Sequence, residues 1–215
     1  MIRRSLSVRW IFRPALMLLF LFLNSCDLFT TRTPETPDLG STFIWTPAAT
    51  PNYLLDNFSA TMTVLDATNY AKCFIGSKDS ASDGSQQVFT FSPRPALDPN
   101  IRVLFDQWNV QSERNFMTKL AASLVTDPKL TVKFSNVNIN QVNSNSADIT
   151  LEYLVLLPVQ SNSTIPPSIS GSMGLHIIVV TTEEQTKEWR IVNWSDFAQT
   201  SGNAKTFTEL KSQVN

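Results

Sequence analysis

The alternation of apolar and polar residues that begins after Asp127-Pro128 limits the fold more than any other feature of this sequence. Leu130, Val132 and Phe134 alternate with Thr131, Lys133 and Ser135. Past the turn-forming run Asn143-Ser-Asn-Ser146, Ile149, Leu151, Tyr153, Val155 and Leu157 point one way, and Asp148, Thr150 and Glu152 the other. Extended chain sends successive side chains to opposite faces, so each run reads as a strand with one buried and one wet side. A Ser/Pro-rich loop over 158–170 leads to Met173-Gly-Leu-His-Ile-Ile-Val-Val180. The polar turn 181–187 then leads to Trp189-Arg-Ile-Val-Asn-Trp194.

Upstream the period is helical. Pro51 is a good first helical residue behind Thr50 as cap, and Leu54, Phe58, Met62 and Leu65 follow as an apolar stripe. Asp66 caps a second stripe of Ala67, Tyr70, Ala71 and Phe74. Val88-Phe-Thr-Phe91 reads as a short strand. Residues 112–124 read as a third helix, with Phe116, Met117, Leu120, Ala121 and Leu124 on one face. Helices first and hairpin strands after them imply an α+β domain over 51–215, its helices packed on one face of a curved antiparallel sheet.

The first 26 residues concern address, not fold. Arg3, Arg4, Arg9 and Arg13 precede the apolar core Ala15-Leu-Met-Leu-Leu-Phe-Leu-Phe-Leu23, which is too short for a permanent membrane span. The following Leu23-Asn-Ser-Cys26 resembles the lipobox of bacterial lipoproteins. The resemblance implies a signal peptide at 1–25, lipidation of Cys26, and a palmitate-bearing anchor in the inner or outer membrane of a bacterial cell envelope, with the domain outside the cytoplasm. Several acyl chains hold a protein stably where one does not. Asp27 resembles the inner-membrane retention signal of enteric bacteria. Residues 26–50 are Thr/Pro-rich and suit a tether, within which Phe43-Ile-Trp45 is expected to dock on the domain.

Four of the 17 lysines and arginines lie in the signal head, and all 18 acids lie after it, so the exported chain is net acidic. It lacks the basic footprint of nucleic-acid binding. With Cys26 lipidated, Cys73 has no intramolecular partner, and the core alone holds the domain together.

Three segments, in order, resemble the nuclear-transport-factor-2-like superfamily, the cone-shaped fold shared with ketosteroid isomerases and polyketide cyclases. They are Asp66-x-x-x-Tyr70-x-x-Cys-Phe74, Trp189-Arg-Ile-Val-Asn-Trp194-Ser-Asp196 and Thr206-Phe-Thr-Glu-Leu-Lys211. Bacterial lipoproteins of this fold also tend to show a Trp and then a helix opening near a Glu, as Trp108 and Glu113 do. The resemblance implies a sheet wrapped round its helices with a pocket at the cone's mouth, which enzyme members furnish with an Asp and often a His or Tyr.

Few residues are suited to chemistry. His176 is the only histidine, and no Cys-x-x-Cys, His-Glu-x-x-His, Gly-x-Ser-x-Gly or Gly-rich phosphate loop occurs, so neither a metal nor a cofactor is expected. Tyr70, Trp108, Asp148, Glu152 and His176 are the candidates for a pocket. Each has a plainer reading, as core aromatic or solvated sheet residue. No catalytic set emerges. The expected function is that of a non-catalytic envelope protein binding a small apolar ligand or a protein partner. The alternatives are an isomerase, dehydratase or cyclase using Asp148, Glu152 or His176, and a structural lipoprotein of an envelope complex. In the last strand, strict alternation turns Trp189 and Ile191 toward the helices and Trp194 to the outer face, where it would support a homodimer through the sheet.

Overall fold

Thr50 accepts a hydrogen bond from the Tyr53 amide and opens α1, Pro51–Thr63, with proline in the first turn as the sequence predicts. The computed structural model describes residues 43–214 apart from 83, 96, 126–127, 161–162 and 200–203. The signal peptide, Cys26 and the tether up to residue 42 lie outside the described residues. All those described belong to one unit, Ser41–Asn215.

Helix α1 closes on Leu65, whose φ of 57° places it in the left-handed region. The Leu65 amide reaches the Met62 carbonyl and the Asp66 amide the Thr61 carbonyl, which is the Schellman pattern with leucine where glycine is usual. Asp66 then caps α2, Ala67–Lys72, by accepting from the Thr68 and Asn69 amides. One corner thus closes one helix and opens the next. Helix α2 stops at Lys72, and Phe74 leaves it to form a parallel bridge with Ile191. Two short strands follow, β1 (Ser80–Ala81) and β2 (Thr90–Ser92), and then a turn of helix α3, Pro99–Arg102, capped by Asp98. Helix α4, Val110–Ser123, begins at an Asn109–Ser112 capping box, two residues ahead of the expected start.

The second half is β3 (Thr131–Asn143), β4 (Ser146–Leu156), β5 (Ser168–Thr181) and β6 (Lys187–Phe197), joined as antiparallel neighbours. The sheet order is β2-β6-β5-β4-β3, with β1 beside β5. The sheet is mixed and not purely antiparallel, because β2 pairs parallel to β6. Register shifts in β3 and between β5 and β6 mark the bulges that bend it around the helices. Helix α5, Phe207–Val214, packs back inside. The architecture is the α+β cone that the resemblance implies.

The bulge in β6 corrects the reading of the last strand. Ile177 pairs with Ile191 but His176 pairs with Asn193, so Val192 is the extra residue and the inward parity changes there. Trp189 and Trp194 are therefore both buried. Trp194 lies at the centre of the core, 5.5 Å from the Phe58 ring, 5.3 Å from Phe91 and 4.9 Å from Phe207. It is withdrawn from any outer surface, and the dimer argument built on it falls.

The chain ahead of α1 is already part of the packing. Ala48 is fully buried and bonds through its carbonyl to the Trp189 amide. Trp45 docks as expected, between the Lys72 ammonium at 5.6 Å and the Arg190 guanidinium at 5.7 Å. Ile44 does not dock and is 84% exposed.

Candidate functional site

The interior of the cone is occupied by charge. Helix α4 carries Glu113 on its inward face one turn from the N-terminus, where the helix dipole favours a carboxylate. Helix α5 brings Lys211 to meet it, because Phe207, Leu210, Lys211 and Val214 share a helix face at i, i+3, i+4 and i+7. Both side chains have no solvent exposure, and Lys211 Nζ lies 2.5 Å from Glu113 Oε1. The Trp108 indole N–H donates to the same oxygen at 2.7 Å, and the Tyr70 hydroxyl donates to Oε2 at 2.9 Å. The ammonium also lies 3.7 Å from the ring centres of Phe91 and of Trp194, with Trp108 at 5.4 Å and Phe116 at 5.8 Å. Burial pulls the Lys211 ammonium down to about 8, against the Glu113 charge that supports its protonated form. Burial, and then the Glu113 charge, push the Tyr70 phenol well above its ordinary value.

A second buried polar group anchors α5. Asp196 Oδ2 accepts from the Thr206 hydroxyl and from the Thr208 amide and hydroxyl, while Oδ1 accepts from Tyr153. Glu209 reaches back to the Thr206 amide, and the Thr208 amide reaches the Thr206 hydroxyl, forming a capping pair. Arg94 closes the outer side of Glu209 as an ion pair. Burial alone would raise Glu209, but the bonds from Thr206 and Arg94 outweigh it and hold the carboxyl below its ordinary value. Burial, and then Asp196, raise the Tyr153 phenol.

The five residues read from the sequence as pocket candidates divide between two places. Tyr70 and Trp108 converge inside the cone, both on Glu113. Asp148, Glu152 and His176 stand on the outer face of the sheet. Asp148 Oδ1 and His176 Nδ1 are 2.6 Å apart, on side chains about half exposed, and His176 borders a polar groove of about 420 Å³. Cys73 is buried, and that burial pushes its thiol up to about 12, so it is no nucleophile. Among the described residues no group of His, Cys, Asp or Glu is placed to hold a metal ion, and no helix is long and apolar enough to cross a membrane.

The two residues on which the interior turns, as a buried ion pair, went unsingled for chemistry in the sequence. The signal was present in Thr206-Phe-Thr-Glu209, a capping-box pattern whose helix then places a lysine in an apolar stripe. Outside this interior, a largely apolar groove of about 380 Å³ lies between the end of α2, the segment before β2 and the start of α4. Ile75, Val88, Phe89 and Val110 line it, with Gln87 and Gln111 among its polar groups.

No protein-family model matches the sequence, and no curated protein matches it significantly. Solved structures similar in chain path include a candidate dehydratase of the NTF2-like family from Streptomyces avermitilis (12% identity, 70% of this chain and 94% of that one, TM-score 0.45). The β subunit of benzoate 1,2-dioxygenase from Burkholderia mallei is another (12% identity, 69% and 87%, TM-score 0.46). A third is an NTF2-like protein of unknown function from Shewanella oneidensis (9% identity, 67% and 93%, TM-score 0.41). None of the three lends this chain a substrate or a reaction.

Proposed function

We propose that this chain is a lipid-anchored cell-envelope protein of the nuclear-transport-factor-2-like kind whose domain binds and does not catalyse. The observation that carries the reading is the filled interior. Where an enzyme on a cone fold would keep a free acid facing substrate, Glu113 is locked to Lys211, Trp108 and Tyr70, with no exposure. With three donors on its oxygens and no solvent exposure, Glu113 presents no open face to a substrate. The groove beside Val110 is apolar with a few polar groups, the composition of a small-molecule site. Its occupant would be a small apolar molecule.

The test is an NMR titration of the chain from Ser41 onward with a medium-chain alcohol such as decanol. Shifts should concentrate at residues 75–77, 87–89 and 109–111 and vanish in Val110→Asp. No shifts there would refute the small-ligand reading. Anchoring is tested separately: Cys26→Ser should leave the precursor uncleaved and unacylated, and normal maturation of that variant would refute it.

The enzyme alternative has one favourable observation, the Asp148–His176 pair beside its polar groove. Such a pair can relay a proton, but on an open sheet face it excludes no water. If a substrate is ever turned over, His176→Ala should abolish the reaction.

A further inference from the structure

Arg190 is buried on β6 with one edge of its guanidinium unpartnered. Only 7% of its side chain is exposed, yet it borders a groove of about 430 Å³ between α2, the turn at 76–79 and the β5–β6 hairpin. Nη1 donates to Glu188 Oε2 at 2.7 Å and to the Trp189 carbonyl at 3.3 Å. Among the described residues the other edge, Nε with Nη2, has no acceptor within hydrogen-bond distance. Asp79 Oδ2 stands 3.8 Å from Nε, too far for a hydrogen bond. Asp79 keeps an edge free as well. Its Oδ2 accepts the Gly76 amide at 2.7 Å and its own amide donates to the Gly76 carbonyl at 3.2 Å, while among the described residues nothing donates to Oδ1. That reciprocal turn fixes the carboxylate, and Glu188 with the Trp45 ring fixes the guanidinium, so the two face each other without closing. A guanidinium fork in a buried residue is costly to leave unmet, and it matches a carboxylate in geometry.

The surrounding charges narrow what would meet it. Lys78 on the rim is paired with Glu183, and Glu188 offsets Arg190. Lys72 and Arg114 are the remaining cations of the lining, and Asp79 and Glu184 its remaining acids. With the signs balanced, the groove as a whole has no field that draws in a simple anion or a simple cation. At its buried end, N–H donors and a carboxylate oxygen stand side by side, which suits a ligand carrying both charges on neighbouring atoms.

We propose that this groove is a binding site for a free α-amino acid in its zwitterionic form, its carboxylate held by Nε and Nη2 of Arg190 and its ammonium by Oδ1 of Asp79. The apolar groove at Val110 shares only Gly76 and Ser77 with it, and neither site depends on the other.

The experiment titrates the full chain in nonionic micelles with L-alanine, followed by amide NMR and calorimetry. Shifts should saturate at 76–79 and 188–190 and leave 87–89 and 109–111 unmoved. N-acetyl-L-alanine lacks the ammonium and L-alaninamide the carboxylate, so each should bind at least about tenfold more weakly, the loss of one charge-assisted contact. Asp79→Asn keeps an oxygen for the Gly76 amide and removes the charge, and it should weaken L-alanine by at least about tenfold. Arg190→Lys keeps a cation for Glu188 but has no fork, and should weaken L-alanine as much. If that variant does not fold, Asp79→Asn and the two analogues carry the test. No saturable shift with L-alanine, or shifts confined to 87–89 and 109–111, would overturn the site. So would undiminished binding in Asp79→Asn, or either analogue binding as tightly as L-alanine.

Discussion

Replacing Glu113 by glutamine isolates the energetics of the cone's centre. The substitution keeps the shape, so it opens no cavity; it removes the charge opposite Lys211 and turns one acceptor oxygen into an N–H donor, which the Tyr70 hydroxyl can meet by rotating to accept. Breaking one partner of a buried pair costs about 3–5 kcal/mol, because the remaining charge has neither water nor counter-ion. That is a large part of an ordinary domain's stability. The loss should depend on pH in a defined direction. Lys211 is held at about 8 when folded, below its ordinary 10.5. Between those values the unfolded chain binds a proton that the folded chain does not, so stability rises with pH, by at most about 1.4 kcal/mol per unit. Below about 8 both states are protonated and above 10.5 both are neutral, so the contribution is flat outside the window. Tyr70 acts oppositely. Its phenol stays protonated when folded after the unfolded phenol ionises near its ordinary 10.0, so stability falls above that pH. In Glu113→Gln the Lys211 window extends to lower pH, because the charge that supported protonation is gone. Urea denaturation at unit steps from about pH 6 to about pH 11 of the parent, Glu113→Gln, Lys211→Met and the double variant would measure all of this. The double variant should recover most of the loss, giving a coupling of several kcal/mol. A cost below about 1 kcal/mol for Glu113→Gln, with the parent's pH profile, would refute a buried charged pair.

Three further perturbations test other parts of the packing. Trp194→Ala should cost about 3–5 kcal/mol by urea denaturation, with no change in sedimentation, since Trp194 faces four rings and Lys211 inside the domain. Gly171→Ala should cost about 1–3 kcal/mol, because its Cβ would fall 2.5 Å from both Tyr153 Oη and the Phe197 carbonyl. Adding Tyr153→Phe should not fully relieve it. Thr206→Ala should cost about 1–2 kcal/mol and speed amide exchange in α5 above that in α4, as the cap and a donor to Asp196 are lost together.

Local features were legible because they are set by neighbours in the chain. Thr50-Pro51 and Asp66 act as caps through bonds to amides two or three residues on, and each opens a helix in the structure. The alternation of Ile149, Leu151, Tyr153 and Val155 maps directly onto the buried side of β4. Alternation failed at Trp194 because a bulge adds one residue to one strand, and whether a strand bulges depends on its partner's register. The parallel pairing of β2 is likewise a property of where the chain returns, not of Thr90–Ser92.

The sequence by itself determined helices before strands, the caps and the one-sided strands, because each depends on backbone preferences and period within a few residues. Its N-terminal pattern also carried the expectation of export and anchoring. Only the tertiary structure decided what fills the cone. Glu113 and Lys211 are 98 residues apart, and neither carries in its own neighbourhood any sign of the other. Their burial follows from the meeting of two helices inside one curved sheet, and only that meeting supplies the counter-charge and the aromatic faces that make it tolerable.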